Sequence, residues 1–146
     1  MEFFITELTL SLLKEKFESF CHSMAGLKVV ENPNLEKFIN TFEASKSYSK
    51  TFVVIEKESG DIVGSVRGLL DYKFLRGGSI GGRIEEVSVN PKYQGNGLGS
   101  LLMQYVLEYL NGEGCYKIEL ACDQKLAPFY EKFGFQGLEV EMKMYT

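Results

Sequence analysis

One stretch of the chain combines a strand pattern, a glycine-rich turn and the start of a helix. Residues 84–102 read IEEVSVNPKYQGNGLGSLL. Gly95, Gly97 and Gly99 allow positive φ and let several backbone N–H groups point toward one place. The helix that follows adds unpaired N–H groups and the positive end of its dipole, so the turn suits a phosphate or pyrophosphate. A glycine-rich helix entry that binds nothing is the alternative that this motif alone leaves open.

Other phosphate-binding loops fit the turn less well. The pattern G-x-G-x-x-G is absent, and no Lys-Ser or Lys-Thr pair follows the glycines. We therefore do not expect a dinucleotide loop or a nucleoside-triphosphate loop.

Length and composition predict a single domain over residues 1–146 that needs no disulfide or metal to fold. The net charge of −4 argues against a general nucleic-acid binder. Three cysteines without a C-x-x-C pair and a single histidine support neither a disulfide framework nor a zinc site, so no metal is expected. No signal-peptide pattern and no apolar run of about 18 residues is present, so we expect a cytoplasmic protein that does not contact membrane.

Hydrophobic periodicity predicts the order β-α-α-β-β-β-α-β-α-β, which indicates an α/β (α+β) fold with a mixed sheet and helices on both faces. The predicted strands are 3–8, a hairpin over 51–74, 84–89, 115–122 and 138–145, with a loop at 75–82. The predicted helices begin at Thr9, after Asn32-Pro33-Asn34, at Leu98 and at Pro128.

A second motif lies beyond the helix that follows the glycines. Residues 94–99 fit Q/R-x-x-G-x-G/A, and residues 129–135 read FYEKFGF. Together, over Ile84 to Phe135, they resemble the two halves of the acetyl-CoA site of the GNAT acetyltransferase superfamily. The resemblance implies acetyl-CoA as cosubstrate and a mixed sheet of about six or seven strands whose central strands splay apart.

The closer resemblance is to the family of glucosamine 6-phosphate N-acetyltransferases. It rests on GRIEEVSV at 82–89, KYQGNGLGSLL at 92–102 and GCYKI at 114–118. It implies acetyl transfer to the amine of glucosamine 6-phosphate, in UDP-GlcNAc biosynthesis, by direct attack in a ternary complex. It also implies a homodimer formed through C-terminal strands. Two alternatives stay open: an N-acetyltransferase for another amine (protein, polyamine or small molecule), and a non-catalytic acetyl-CoA-binding protein.

The resemblance also implies roles for individual residues. Backbone N–H groups of the strand before the turn would polarise the thioester carbonyl, and Tyr130 would protonate the departing thiolate. The implied cofactor contacts are Val87, Ser88, Val89, Gln94, Gly95, Asn96, Gly97, Leu98, Gly99, Ser100 and Tyr130.

The implied substrate contacts are Lys73, Arg76, Arg83, Glu85, Glu86 and Ser23. The three cations would hold the phosphate, because guanidinium and ammonium groups suit it. Glu85 and Glu86 are adjacent on a predicted strand, so we expect them on opposite faces, with Glu85 able to help deprotonate the amine.

Three positions depart from the family pattern. Ala121 stands where the family has a carboxylate, Leu126 where it has Asn, and Tyr145 where it has a basic residue. Glu119, Asp123 or Glu85 could supply the missing carboxylate.

Overall fold

The computed structural model describes residues 1–146, and its centre is one mixed sheet of five strands in the order β1-β2-β3-β4-β5. Strands β1 to β4 pair antiparallel, and β5 pairs parallel to β4. The strands are β1 Phe3–Glu7, β2 Ser49–Glu56, β3 Ile62–Tyr72, β4 Ile80–Val89 and β5 Lys117–Glu119. The helices are α1 Leu10–Glu15, α2 Phe17–Ser23, α3 Leu35–Ser45, the single turn α4 Leu75–Gly78, α5 Leu98–Gly112 and α6 Ala127–Glu131.

Helices α1, α2 and α3 cover one face of the sheet. Thr9 and Asn34 cap α1 and α3, each accepting a backbone N–H at 3.1 Å, as Ser/Thr/Asn residues do at helix starts. The helix predicted to begin at Thr9 is interrupted at Lys16, where φ is −118° and ψ is 28°, so it forms the two helices α1 and α2. The apolar side chains beneath these helices form a separate core cluster of Leu8, Leu13, Phe20, Val53, Ile55 and Ile62.

Helix α5 covers the opposite face. Leu102, Val106 and Leu110 on this helix pack with Val66 and Ile84 of the sheet in the larger core cluster. The helix lies close to β3 because Gly68 has no side chain there: a Cβ at Gly68 would lie 2.7 Å from Val106. The mixed α/β fold with helices on both faces, predicted from the sequence, is therefore confirmed.

Strands β4 and β5 separate soon after they meet. Gly81–Arg83 pairs with Lys117–Glu119, and beyond Arg83 the strand β4 is bonded only to β3. Residues 84–89 of β4 therefore border an opening in the sheet, which is the splay that the family resemblance implied.

A β-bulge lies at the beginning of this splayed part. The register with β3 shifts between Ser65 and Arg67, and Glu86 has a φ of 55°. Ile84 and Val87 both pack toward α5 although they are three residues apart, so Glu85 and Glu86 lie together on the other face. The expectation that these two carboxylates face opposite sides was wrong, because it assumed an unbroken alternation.

The strand count is lower than the six or seven expected. The predicted strand 115–122 is reduced to Lys117–Glu119, and residues 138–145 form no strand. Part of the predicted loop 75–82 is instead the single turn α4 and the start of β4. A strand needs a hydrogen-bonding partner, and the short β5 offers the C-terminal segment no edge of useful length. None of the helices is long and apolar enough to cross a membrane.

Candidate active site

The splayed part of β4 presents unpaired backbone donors. The N–H of Asn90 donates to the carbonyl of Val63 in β3 at 2.8 Å. Because successive residues of a strand point their N–H groups in alternate directions, the N–H groups of Val89 and Val87 face away from β3, toward the opening. The two donors are about 6.6 Å apart along the strand, so one of them can stabilise an oxyanion while the other binds a different part of an acyl chain.

The glycine-rich turn connects this strand to α5. Gly95 and Gly97 have φ values of 87° and 73°, the left-handed region that other residues rarely adopt. The side chain of Gln94 donates to the carbonyl of Val89 at 3.3 Å, and that of Asn96 donates to the carbonyl of Tyr93 at 2.9 Å. These bonds fix the turn against the end of β4.

The N-terminus of α5 has free hydrogen-bond donors. No side chain caps it, and its first turn contains no acidic residue. The backbone N–H groups of Leu98, Gly99 and Ser100 therefore have no intrahelical acceptor, and the dipole of a 15-residue helix favours an anion beside them. This end of α5 fits a pyrophosphate group.

The FYEKFGF segment packs against the same turn. A Cβ at Gly99 would lie 3.4 Å from the ring of Phe129, so the glycine allows the ring to rest on the first turn of α5. Phe129 also contacts Tyr130 edge-to-face, with ring centroids 5.0 Å apart. The two motifs recognised in the sequence are therefore in contact in the fold.

Tyr130 is a buried side chain of α6 that shares the larger core cluster with Ile84 of β4. Only 8% of the residue is exposed, and it belongs to the core cluster beneath α5. Burial raises the pKa of its phenol, with a smaller contribution from Cys122. A raised pKa keeps the hydroxyl protonated at neutral pH, which is the form that can give a proton to a thiolate.

On the other face of β4, Arg83 connects two acidic side chains. Its Nε donates to Glu85 at 2.6 Å, and its Nη2 donates to Glu141 of the C-terminal segment at 2.8 Å. The hydrogen bond from Arg83 to Glu85 raises the pKa of the guanidinium. All three side chains are about 36–40% exposed, so solvent or a ligand can reach them.

The other two expected substrate cations have separate partners. Lys73 pairs with Asp71 at 2.8 Å, and the hydrogen bond to Asp71 raises the pKa of its ammonium group. The guanidinium of Arg76 lies over the ring of Tyr116 at 4.5 Å. Arg76 also has a φ of 57°, in the tight turn α4. Lys73 still lies near Arg83, because a Cβ at Gly81 would be 3.0 Å from its side chain.

Two expected substrate contacts have other partners in this structure. Ser23 is fully buried; its hydroxyl donates to the carbonyl of Phe20 at 2.6 Å, and its own carbonyl accepts the hydroxyl of Ser88 at 2.8 Å. It joins α2 to β4 and offers no free hydroxyl to a substrate. Glu86 pairs with Arg67 at 2.9 Å.

The carboxylates near Ala121 are bound to their own neighbours. Glu119 pairs with Lys117 at 2.9 Å, and Asp123 accepts the backbone N–H of Lys125 at 3.1 Å. Glu85 is the acidic residue that lies on the splayed strand itself. No group of three or more His, Cys, Asp or Glu side chains that could hold a metal ion is found.

The sequence reasoning missed three residues that shape this site: Gly26, Arg67 and Glu141. Gly26 lies against the end of β4, where a Cβ would be 2.9 Å from the hydroxyl of Ser88. The three-residue spacing of Ile84 and Val87 was the signal that could have revealed the bulge and therefore the Arg67 to Glu86 pair. No local pattern indicates the long-range contact of Glu141.

Comparison with known proteins agrees with this geometry. The chain matches the Acetyltransferase (GNAT) family over residues 11–135. It is 32% identical over 136 residues to glucosamine 6-phosphate N-acetyltransferase of Arabidopsis thaliana, covering 91% of each protein. It is 43% identical over 94 residues to glucosamine 6-phosphate N-acetyltransferase of Trypanosoma brucei brucei, and that match spans 64% of each protein, just under two thirds of the trypanosomal relative. The crystal structure of glucosamine-6-phosphate N-acetyltransferase from Arabidopsis thaliana superimposes with a TM-score of 0.88, at 29% identity and 99% coverage of both chains.

Proposed function

We infer that this chain, a member of the acetyltransferase (GNAT) family, transfers the acetyl group of acetyl-CoA to the amine of glucosamine 6-phosphate. Relatives that are named for this activity match up to 91% of the chain. One observation carries the proposal. The splayed strand β4 has backbone N–H donors facing its opening and a part-exposed arginine, Arg83, with acidic partners nearby. An acyl donor and an anionic amine acceptor can therefore meet at the same strand.

The acetyl-CoA half of the site consists of the turn and the start of α5. The pyrophosphate would accept hydrogen bonds from the N–H groups of residues 95–100, where positive-φ glycines and an uncapped helix end supply donors. The acyl arm would then run into the opening beside β4. Val87, Ser88 and Val89 would bind it through their backbone.

The chemistry is acyl transfer from a thioester to a primary amine. The neutral amine attacks the thioester carbon while its proton passes to a base, for which we propose Glu85. The N–H group of Val87 or of Val89 stabilises the oxyanion; a donor of this kind contributes about 3 to 4 kcal/mol. The carbon–sulfur bond then breaks, and Tyr130 gives its proton to the thiolate.

Holding both substrates together supplies a further part of the rate. Effective molarity in a ternary complex can offset roughly 7 to 11 kcal/mol of barrier. No covalent enzyme intermediate is needed. The thiols of Cys21 and Cys115 have pKa values raised by burial, which makes them poor nucleophiles.

The phosphate of the acceptor would bind at Arg83, with Lys73 adding a second positive charge. Arg83 is part-exposed and presents a fork of N–H groups that matches phosphate oxygens. Its present partner Glu141 is exposed and lies on a segment without secondary structure, so a dianionic phosphate can compete with it. Arg76 and Glu86 would contact the sugar after changing their partners.

We also propose that two copies form a homodimer through their C-terminal segments. Residues 138–145 alternate apolar and charged side chains, and Leu138, Val140, Met142 and Met144 are 80–89% exposed. Such alternation is typical of a strand with one buried face, and a partner copy could supply the missing sheet edge. A chain that ends at Gly137 should then elute as a monomer while the full chain elutes as a dimer.

A cytoplasmic location remains a proposal, and the three free cysteines are compatible with a reducing compartment.

The test is release of free thiol from acetyl-CoA by the purified protein, with glucosamine 6-phosphate, glucosamine and a lysine peptide as parallel acceptors. Turnover with the phosphorylated sugar, and much less with the other two, supports the proposal. Turnover with the lysine peptide alone would assign the site to another amine. Tight binding of acetyl-CoA without any transfer would indicate a binding protein.

A further inference from the structure

A cavity of about 300 Å³ lies between the sheet and the three N-terminal helices, away from the opening beside β4. Leu13 of α1, Phe20 of α2, and Phe38 and Phe42 of α3 form its apolar wall. Of the proposed substrate and cofactor residues, only Glu86 lines it. This volume is at the lower end of the range for small-molecule sites.

The sheet side of the cavity carries two polar groups that no protein atom satisfies. Ser65 is 1% exposed, and its hydroxyl has no hydrogen-bond partner in the protein. The Nε of Arg67, two residues along β3 on the same face, is also buried without a partner. A buried polar group without a partner costs free energy, so two such groups at one cavity wall indicate that something binds there.

Charge and shape together limit what the occupant can be. The lining contains three cations, Lys46, Lys50 and Arg67, which pair with Glu43, Glu7 and Glu86, and these pairs leave the Nε–H of Arg67 free for a ligand. One guanidinium N–H and one hydroxyl match the two oxygens of a single carboxylate. The facing phenylalanine wall, with Phe20 and Phe38 packed edge-to-face, suits an aromatic or branched apolar body.

We propose that this cavity is a second ligand site, distinct from the acceptor site, that takes a small monocarboxylate with an apolar body. The carboxylate bonds Ser65 and Arg67, and the apolar body packs against the helices. Arg67 also pairs with Glu86 at the β-bulge. The occupant therefore hydrogen-bonds the same guanidinium that pairs with β4, the strand that carries Val87 and Val89. Its binding can act on that strand through this ion pair.

The experiment measures binding of phenylacetate to the full-length protein by calorimetry and by backbone amide shifts in NMR. We expect saturable binding with a Kd of about 1 mM or tighter, as suits a ligand of this size in a preformed cavity. The amide shifts should centre on Ser65, Arg67 and the C-terminal half of α3. The uncharged analogue 2-phenylethanol should bind at least fivefold more weakly. No saturation up to 10 mM, or equal affinity for the two probes, overturns the proposal.

Two variants locate the site. Ser65→Ala should weaken phenylacetate at least fivefold without lowering the thermal midpoint of the free protein, since it removes an unsatisfied hydroxyl. Thr41→Phe places a ring into the cavity from α3 and should abolish binding, whereas the matched control Thr41→Ser should retain it. Unchanged binding in both Ser65→Ala and Thr41→Phe would refute the location.

A competition experiment tests whether this site is separate from the acceptor site, and its design rests on the proposed function. Saturating glucosamine 6-phosphate should leave phenylacetate bound. Displacement by the sugar phosphate would show that the cavity is part of the acceptor site. The binding measurements themselves need no acetyl transfer, so they can fail or succeed independently of it.

Discussion

Replacement of Gly26 by alanine should damage the reacting strand from outside the site. Gly26 follows α2 in a short 3₁₀ turn that lies across the end of β4. An added Cβ would lie 2.9 Å from the hydroxyl of Ser88 and closer still to the carbonyl oxygen of Val89, well inside van der Waals contact. The Val89 oxygen is part of the backbone of β4, and the Ser88 hydroxyl is held by the Ser23 carbonyl, so neither moves aside easily.

The size of the effect follows from this clash. To reach ordinary contact, the turn and the strand must separate by about 1 Å. Overpacking of this kind costs about 1–3 kcal/mol of stability, which lowers the melting temperature by roughly 3–10 °C in a chain of this length. A displacement of about 1 Å at the oxyanion donors lowers the rate by about 100-fold.

The assay compares Gly26→Ala with Gly112→Ala by thermal unfolding and by thiol release with glucosamine 6-phosphate. Gly112 lies at the end of α5 with no atom within 4 Å of an added Cβ, so alanine there should be neutral or slightly stabilising. We expect kcat to fall and the KM for acetyl-CoA to rise in Gly26→Ala, because the displaced Val89 carbonyl also holds Gln94 of the turn and Val87 to Val89 would bind the acyl arm. Native stability and native kcat in Gly26→Ala would refute the reasoning.

Three further changes test separate parts of the account. Tyr130→Phe should keep the packing and lower kcat by about 10²- to 10⁴-fold with unchanged acetyl-CoA affinity, measured by calorimetry and initial rates; unchanged kcat would remove Tyr130 as the acid. Arg83→Met should raise the KM for glucosamine 6-phosphate at least tenfold and that for glucosamine less than threefold, with the exposed Lys57→Met as control; an equal rise for both sugars would contradict phosphate binding there. Burial raises the pKa of Tyr109 to about 12. The contribution of the protonated Tyr109 phenol to the free energy of unfolding should therefore be fully present below pH 10. It should fall by at most about 3 kcal/mol as the pH rises toward 12. Denaturant unfolding at pH 9 and 11 should show a smaller loss for Tyr109→Phe than for the native chain, and equal losses would contradict this.

The sequence predicted the fold class and the glycine-rich turn before α5 because both depend on local patterns. Caps at Thr9 and Asn34, the hairpin and the glycine turn are each encoded within a few residues, and the structure has them where predicted. The contact between FYEKFGF and the start of α5 was not local. It was expected only through the family resemblance.

The other contacts of the site could not be predicted from local sequence patterns, because they join residues that are distant in sequence. Arg83 meets Glu141 across 58 positions, and Ser88 meets Ser23 across 65. The bulge at Glu86 reverses the faces of the residues that follow it, so simple alternation failed there. The C-terminal alternation is strand-like, but residues 138–145 form no strand in this structure.

The measurement that tests the central claim most directly uses acetyl-CoA carrying ¹³C in its acetyl group, glucosamine 6-phosphate and the purified protein, followed by NMR. The account predicts that the label appears as an N-acetyl amide on the phosphosugar, with one free thiol released for each amide formed. Label found only in free acetate, or on the protein, would contradict it.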